Sequence, residues 1–253
     1  MRGGTGPAAF TEPYGQLVPQ QGLAMQARRH MHEYGTTSRQ FGGVAVAFRS
    51  HANRNPRATF YETPLTIEDH QSARHVVEPF RLFDCCLETD GGCAIVVTSA
   101  ERARDLPNPP AYILAATQCL PGYRGPSPSL TESSAKILAP DLFGAAGVTP
   151  GDIDVAQIYD HFSALVIFAL EDYGFCEKGE GGPFVEEGNI QWPDGKLPVN
   201  TSGGHLSEAY LHVANHINEA TRQLRGTSTA QVDDAELVLV DSGIGAGALI
   251  LGR

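Results

Sequence analysis

The sequence is poor in basic residues. Its 18 lysines and arginines stand against 29 aspartates and glutamates, which gives a formal net charge of −11 at pH 7. No basic stripe along the chain offsets this charge. Because such a surface repels a phosphate backbone, we expect no nucleic-acid partner.

Long hydrophobic runs are also absent. The longest, such as residues 164–170 and 237–240, are far shorter than the roughly 20 residues that a membrane-spanning helix needs. The first residues, Met-Arg-Gly-Gly-Thr-Gly-Pro, lack the apolar stretch of a secretory signal. We therefore expect no membrane span and a cytoplasmic location.

Cysteine is scarce and poorly placed for disulfides or metal. There are five cysteines, an odd number, with no Cys-x-x-Cys pair, and Cys85 and Cys86 are adjacent. Adjacent cysteines rarely bond to each other, so we expect reduced thiols. The nine histidines are scattered and do not show zinc-binding spacing, so we expect no metal.

The hydrophobic pattern predicts alternating helices and strands after an irregular arm at residues 1–15, which are rich in Gly, Pro and Thr. Helices are predicted over residues 18–34, 37–55, 66–77, 131–146, 162–173 and 206–224, with a brief helix beginning at 99. Strands are predicted over residues 93–98, 112–116, 155–159, 237–240 and 248–251, and a long loop over 175–198. The alternation predicts an α/β sheet with helices on both faces.

The predicted strand over residues 93–98 precedes the main unit, and its apolar composition indicates burial on both faces. A single strand has unpaired backbone groups. We therefore expect its sheet partners to come from another chain or from further sequence.

A first polar motif follows the predicted strand over residues 155–159. Tyr159, Asp160, His161 and Ser163 emerge together at a strand-to-helix junction, where open α/β sheets place ligands. These side chains can exchange protons or hydrogen bonds. The alternative is structural: Asp160 or Ser163 caps the following helix, and Tyr159 belongs to the core.

A second motif, Asn200-Thr-Ser-Gly-Gly-His205-Leu-Ser-Glu-Ala-Tyr210, has paired glycines opening onto the predicted helix. Glycines allow close approach of a ligand, and free amides at a helix start stabilise anions. Tyr210 lies on or beside the apolar stripe of that helix, so it is either functional or a core aromatic. His212 and His216 are one turn apart, but no third metal ligand is evident.

A third motif, Asp241-Ser-Gly-Ile-Gly-Ala-Gly247, forms a glycine-rich turn between two apolar strands. The turn alone is weak evidence, since many strand-to-strand turns are rich in glycine. Its order and spacing relative to the first two motifs are more informative.

Taken in order, the three motifs resemble those of the thiolase superfamily, most closely its sterol-carrier-type, or lipid-transfer, branch. There, one junction carries Asn-Glu-Ala-Phe or His-Asp-Cys-Phe, matched here by residues 159–162. A second carries Asn-x-x-Gly-Gly and then Gly-His-Pro; residues 200–204 retain the first part, and Ala209-Tyr210-Leu211 replaces the second. A third carries Cys-x-Gly-Gly-Gly-x-Gly, at residues 241–247. Residues 27–37 and 84–92 also resemble this branch.

The resemblance implies an α/β thiolase-like fold with a C-terminal βαβαββ half, a helical loop region and an incomplete first half. It divides the chain into an arm and helical loop region (1–92), the last strand and helix of the first half (93–110) and a thiolase-like C-terminal domain (111–253). The strand-to-helix elbow that bears the nucleophilic cysteine of thiolases would belong to the missing part.

The replacements predict a different reaction from that of thiolases. Tyr210 and Asp241 occupy the places of the histidine in Gly-His-Pro and of the second cysteine, so the thiolate chemistry that Claisen condensation requires is disfavoured. Cys86 is the alternative nucleophile, but its place beside the predicted strand favours a structural role. Tyrosines at these junctions resemble the thiolase-like aldolases that cleave steroid side chains as coenzyme A thioesters.

A retro-aldol reaction needs acid-base groups and an oxyanion site. The resemblance assigns acid-base roles to Tyr159 and Tyr210, without saying which is the base. One phenol would need a lowered pKa from a charged neighbour, His161 or His205. Supporting and substrate-binding roles are predicted for Asp160, which would orient a histidine or tyrosine, and for Gly203, Gly204, Asp241 and Gly243.

The resemblance further implies coenzyme A as part of the substrate, with no covalently bound cofactor. It also implies a homodimer and a small partner subunit with an oligonucleotide-binding-type (OB) fold. Two other functions stay open at this point. One is a sterol-carrier-type acyl-CoA thiolase, and the other is a non-catalytic thiolase-like protein that binds acyl-CoA or lipid.

Overall fold

The computed structural model describes residue 6 and residues 8–119, 129–243 and 247–253. Part of the predicted arm and residues 244–246 of the glycine-rich turn therefore lie outside the described residues. The α-helices are α1 (Ala8–Thr11), α2 (Pro19–Tyr34), α3 (Ser38–Ala52), α4 (Ile67–Ser72), α5 (Ala100–Arg104), α6 (Ala135–Ala146), α7 (Ser163–Asp172), α8 (Gly181–Glu186), α9 (Gly204–Ser207) and α10 (Ala214–Arg225). The strands are β1 (His75–Val77), β2 (Phe80–Arg81), β3 (Tyr112–Gln118), β4 (Val155–Gln157), β5 (Leu237–Asp241) and β6 (Gly247–Gly252).

The main sheet has four strands in the order β3-β6-β5-β4. Strand β6 pairs antiparallel with both β3 and β5, whereas β4 and β5 are parallel. A small antiparallel pair, β1-β2, lies apart from it. The chain order β3-α6-β4-α7-α10-β5-β6, with α8 and α9 added after α7, agrees with the predicted α/β class and βαβαββ half.

Alternate residues of the central strands point to opposite layers of the core, as the pleat of a strand requires. On β5, Leu239 packs with α6 and α7, whereas Val238 and Val240 pack with α10. The sheet is therefore covered on both faces, as predicted.

Helix α7 is almost completely buried. Of its ten residues all but Leu165 are buried, and residues 164–170 are apolar without interruption, the pattern of a helix inside a core. Helix α3 contacts α4, α7, α8 and α9. Both helices therefore lie next to the junctions that carry the polar motifs.

Several predicted elements differ in extent from the observed ones. Helices α2 and α3 begin and end close to the predicted bounds, and Thr66 caps α4 as expected. Helix α4 ends at Ser72, and the residues predicted to continue it form β1. The predicted loop over 175–198 contains helix α8.

The strand predicted over residues 93–98 is wrong. The segment forms no strand, and Val96 and Val97 are 87% and 73% exposed. An apolar run becomes a strand only where neighbouring strands satisfy its backbone, and the described residues supply none at this place. The brief helix predicted after it is α5, capped by Ser99. The division into residues 1–92, 93–110 and 111–253 stays a prediction.

The single helix predicted over residues 206–224 is wrong as well. Two helices, α9 and α10, are separated by residues 208–213. Tyr210 therefore lies in an irregular segment and not on an apolar helix stripe. This break brings the second motif into the site described below.

Two further sequence expectations concern cysteine and the membrane. All five cysteines are free, as predicted. Within the described parts of the chain, no helix combines the length and apolar character that a membrane crossing demands.

Candidate active site

Tyr159 and Tyr210 meet at a hydrogen bond. Their Oη atoms are 2.8 Å apart, and their ring planes are inclined by 71°. Tyr159 follows β4, whereas Tyr210 belongs to the segment between α9 and α10. The structure therefore joins the first and second sequence motifs in one site.

His212 extends this pair to a chain of three groups. Its Nδ1 atom is 2.9 Å from the Tyr159 Oη, so Tyr159 hydrogen-bonds to both Tyr210 and His212. His212 is exposed, and its φ of 50° is left-handed. In the sequence, His212 stands out only as a possible metal ligand. Its contact with Tyr159 depends on its left-handed backbone, which no local sequence pattern predicts.

The Tyr159 phenol is a weak acid in this environment. Burial, together with the hydrogen bond to Tyr210, raises its pKa well above the ordinary value. The prediction that a charged histidine lowers the pKa of one phenol is therefore wrong for Tyr159. This phenol stays protonated at neutral pH and can pass a proton only while receiving another.

His161 and His205, the two histidines predicted to influence the phenols, contact Tyr159 through ring edges. The ring centroids are 4.9 Å and 4.7 Å from that of Tyr159. Burial is the main cause that lowers their pKa values, to about 4 for His161 and about 3 for His205. Both imidazoles are therefore neutral at neutral pH.

The side chain of Asn200 fixes the position of Tyr159. Its Oδ1 accepts the Ile158 amide at 2.7 Å, and its Nδ2 donates to the Ile158 carbonyl at 2.8 Å. The asparagine thus imitates a neighbouring strand at the end of β4. This pairing links the glycine loop to the residue just before Tyr159.

Tyr210 is positioned by a different segment of the chain. Its amide donates to the Thr89 Oγ1 at 2.8 Å, and the Thr89 hydroxyl donates to the Tyr210 carbonyl at 3.3 Å. Nearby, the amides of Cys86 and Leu87 donate to the carbonyls of His161 and His205. Residues 86–89 therefore run beside both motifs and link them.

Asp160 is fully buried and caps the short helix α9. Its two carboxylate oxygens accept the amides of His205 and Leu206 at 2.9 Å and 3.1 Å. Burial opposes ionisation, yet His205 and His216 and the His205 amide lower the pKa of the carboxyl. Asp160 is therefore a carboxylate that holds the backbone at the start of α9, including His205, and its supporting role in the reaction stays a prediction.

Asp160, His205 and His216 form a buried cluster. Each offers one atom of a type that binds metals, and these atoms lie within 4.8 Å of one another. His216 supplies a third group that the spacing of the sequence does not reveal. The Asp160 carboxylate accepts two backbone amides of α9, and His205 Nδ1 and His216 Nε2 face its Oδ1 at 3.3 Å and 3.1 Å.

His205 also supports the backbone at His212. Its Nε2 faces the His212 carbonyl and, at 3.2 Å, the Oδ1 of Asn215. Both neighbours are acceptors, so Nε2 carries the proton. The His205 ring thus stabilises the left-handed residue whose side chain binds Tyr159.

Two of the predicted oxyanion donors have their amides occupied. The Gly203 amide donates to the Asn200 carbonyl at 2.8 Å, and the Gly243 amide donates to the Asp241 carboxylate at 3.0 Å. These two amides are therefore engaged within the protein, although Gly243 lines the cavity beside Tyr159, and the substrate-binding roles of Gly203 and Gly243 stay predictions. For Gly204 the role stays a prediction.

Asp241 has a supporting position. Its carboxylate accepts the Tyr173 hydroxyl at 2.8 Å and the Tyr159 amide at 3.4 Å. Burial raises its pKa to about 6. Asp241 thus stabilises the backbone at Tyr159. Among the described residues, its side chain makes no hydrogen bond with the hydroxyl of Tyr159 or Tyr210.

A largely apolar cavity of about 290 Å³ borders the Tyr159 ring. Most of its other lining residues come from α2, α7 and the segment before α6, among them Leu23, Leu130, Leu165 and Ala169. His161, Asp241 and Gly243 complete the lining. The site therefore combines proton-transfer groups with room for an apolar group.

No cysteine beside the site has the properties of an activated nucleophile. Burial, with a contribution from Asp160, raises the pKa of the Cys86 thiol to about 11. Burial likewise raises that of Cys85 to about 12. Since the thiolate is the nucleophile, neither thiol is activated at neutral pH.

The fold and the site together define the class of protein. A family model described as "Thiolase C-terminal domain-like" matches residues 125–250. The chain belongs to the thiolase superfamily, as its motifs predicted.

Within that superfamily, the chain is similar to aldolases of steroid side chains. It is 48% identical over 254 residues to a steroid side-chain-cleaving aldolase of Thermomonospora curvata, covering 96% of this chain and 64% of the relative. It is 49% identical over 254 residues to a 17-hydroxy-3-oxo-4-pregnene-20-carboxyl-CoA lyase of Mycobacterium tuberculosis, covering 96% of this chain and 65% of the relative.

A solved structure gives the same result. The chain matches the structure of an "Ltp2-ChsH2(DUF35) aldolase" with a TM-score of 0.92 and 47% identity, over 97% of this chain and 66% of that one. The chain thus spans slightly less than two thirds of the length of these relatives.

Proposed function

We propose that the chain belongs to a lyase that cleaves a bulky β-hydroxyacyl-CoA by a retro-aldol reaction. The products are a ketone and a shorter acyl-CoA, and the bulky group is steroidal. The observation that carries this proposal is the hydrogen-bonded row of Tyr210, Tyr159 and His212, with oxygen and nitrogen atoms 2.8 Å and 2.9 Å apart.

Retro-aldol cleavage requires the groups that this row supplies. A base removes the proton of the β-hydroxyl while the carbon-carbon bond breaks. The electrons of the carbon-carbon bond form the enolate of the thioester. The enolate carbon then takes a proton. No covalent enzyme intermediate is needed, so acid-base groups and polar stabilisation are sufficient.

The substrate assignment draws on the names of the relatives and on the cavity. One relative is a steroid side-chain-cleaving aldolase, and another is a lyase of a pregnene carboxyl-CoA. The apolar cavity beside Tyr159 offers a place for part of an apolar acyl group. Coenzyme A enters as part of the substrate.

A second subunit is part of the proposal. The similar solved aldolase is named for two components, Ltp2 and ChsH2(DUF35). We extend this to the present protein as a small partner with an OB-type fold, together with a homodimer of the thiolase-like chain.

The proposal is tested with a steroid β-hydroxyacyl-CoA, offered to the chain alone and to the chain co-expressed with a DUF35 partner. Release of ketone and short acyl-CoA, measured by mass spectrometry in the absence of free coenzyme A, is the expected result. A strict requirement for free coenzyme A would instead indicate a thiolase. Binding without turnover in both preparations would indicate a non-catalytic acyl-CoA-binding protein.

Replacing Cys86 with alanine separates the lyase from a thiolase. We expect kcat to change by no more than about twofold, because the raised pKa of this thiol excludes it as a nucleophile at neutral pH. The measurement is steady-state ketone release. Loss of activity in the Cys86→Ala variant, with an unchanged melting temperature, would contradict the assignment.

A further inference from the structure

We propose that His212 is the terminal proton acceptor of the site and that the proton reaches it from Tyr210 through Tyr159. This inference rests on the proposed function and adds a direction of proton movement to it. Nothing in the sequence motifs singles out His212 for this role.

The connectivity of the three groups gives the direction. Tyr159 lies in the middle, with Tyr210 at 2.8 Å on one side and His212 Nδ1 at 2.9 Å on the other. If the Tyr159 hydroxyl donates to Nδ1, its oxygen is free to accept the Tyr210 hydroxyl. The Tyr210 oxygen then has free lone pairs, and Tyr210 becomes the phenol that meets the β-hydroxyl of the substrate.

The proton count balances along this row. As the substrate O–H bond breaks, its proton moves to the Tyr210 oxygen, the Tyr210 proton to Tyr159 and the Tyr159 proton to Nδ1. The electrons of the O–H bond form the ketone, and those of the carbon-carbon bond form the thioester enolate. His212 becomes an imidazolium and both phenols stay neutral. The imidazolium then loses its proton to water, and the enolate carbon takes one from water.

The surroundings of His212 suit a terminal acceptor. Among the residues that the structure describes, the ionisable groups that face it are Tyr159, Tyr210, His161 and, through its carbonyl, His205. None of these is a carboxylate that would retain the proton on the imidazole. The His212 side chain is exposed, so bulk water can receive the proton.

The left-handed backbone at His212 allows a mild substitution. Glycine adopts a φ of 50° without strain, and the bond from His205 Nε2 is to the main chain, so it persists in the variant. We expect His212→Gly to lower kcat by on the order of 10²-fold or more, with little change in KM.

Added imidazole provides the specific readout. Because the deleted side chain is exposed, free imidazole can enter beside Tyr159, and we expect it to restore part of kcat in His212→Gly. The matched control is His32→Ala, which removes an exposed histidine of α2, and it should keep full activity with no response to imidazole. Full activity of His212→Gly would overturn the proposal.

A second measurement is independent of turnover. In nitrogen-proton correlation spectra of the imidazole groups, the His212 signals are identified by their loss in His212→Gly. The proposal requires the proton on Nε2 and an unprotonated Nδ1 at neutral pH. A proton on Nδ1 would overturn it even if the chain cleaves the substrate. An unprotonated Nδ1 in a chain without lyase activity would leave the hydrogen-bond direction supported and would contradict only the proposed function.

Discussion

Replacing Tyr210 with phenylalanine is expected to lower kcat for retro-aldol cleavage by about 10²- to 10⁴-fold. In the proposed mechanism this phenol hydroxyl meets the substrate, and the variant keeps the ring. The fold should persist, because the contacts that position this residue use its main chain and Thr89. Single-turnover and steady-state ketone release measure the loss, and the melting temperature monitors the fold.

A double-substitution cycle makes this prediction sharper. Tyr159→Phe removes the central hydroxyl, and we expect a loss similar to that of Tyr210→Phe. If the proton moves through both phenols as proposed, they act as one unit, and the double variant should be little worse than either single variant. Tyr14→Phe, which changes an 89% exposed tyrosine, is the control. Additive losses would show that the two phenols act independently. Full activity of Tyr210→Phe would show that the Tyr210 hydroxyl is not needed.

The parts of the fold that sequence predicts well depend on local signals. The predicted strand over residues 237–240 corresponds to Leu237–Asp241, and the predicted helix ending at Gly35 corresponds to Pro19–Tyr34. Apolar runs and glycine stops are properties of neighbouring residues. They remain valid whatever the rest of the chain does.

The break between α9 and α10 could not be predicted in this way. The apolar residues from Leu206 to Leu224 fit a helix, but Glu208 is buried and hydrogen-bonded to three side chains, one of them distant in sequence. Its carboxylate accepts the Ser202 hydroxyl at 2.6 Å and the side-chain amides of Asn55 and Asn215 at 3.1 Å and 3.2 Å. Asn55 is 153 residues away in sequence, so no local pattern reports this interaction.

Long-range contacts also explain which residues of the candidate site could be predicted from the sequence and which could not. The residue types at 159 and 210 were sufficient to pair the two phenols, because their place in the motifs is a property of the sequence. The sequence could not identify His212 as the third group of the site. Its contact with Tyr159 depends on its left-handed backbone, in the segment between α9 and α10. His161 and His205 lie within the motifs themselves, yet they contact Tyr159 only through ring edges.

Replacing Gly204 with alanine is expected to reduce both stability and activity strongly. A Cβ atom at this position would overlap Asp160 Oδ2 and lie 2.8 Å from Asn200 Nδ2. Neither side chain can yield easily, since Asp160 caps α9 and Asn200 pairs with Ile158. The φ of 60° adds strain for any residue with a Cβ.

The expected magnitude has two contributions. A left-handed non-glycine residue costs roughly 1–2 kcal/mol, and overpacking of a buried site adds roughly 1–3 kcal/mol. For a chain of this length, each kcal/mol lowers the melting temperature by about 2–4 °C. We expect kcat to fall by more than the loss of stability alone would cause. Asp160 directly follows Tyr159 in the chain, so displacing Asp160 also shifts Tyr159.

Gly226→Ala is the matched control for this prediction. Gly226 has a similar left-handed φ of 68°, but a Cβ atom there would meet nothing within 4 Å. It should therefore show the cost of backbone strain alone and keep its kcat. Equal losses of stability in the two variants would mean that Asp160 and Asn200 can move aside. In that case the loop before α9 would not be the rigid support on which the position of the phenols depends.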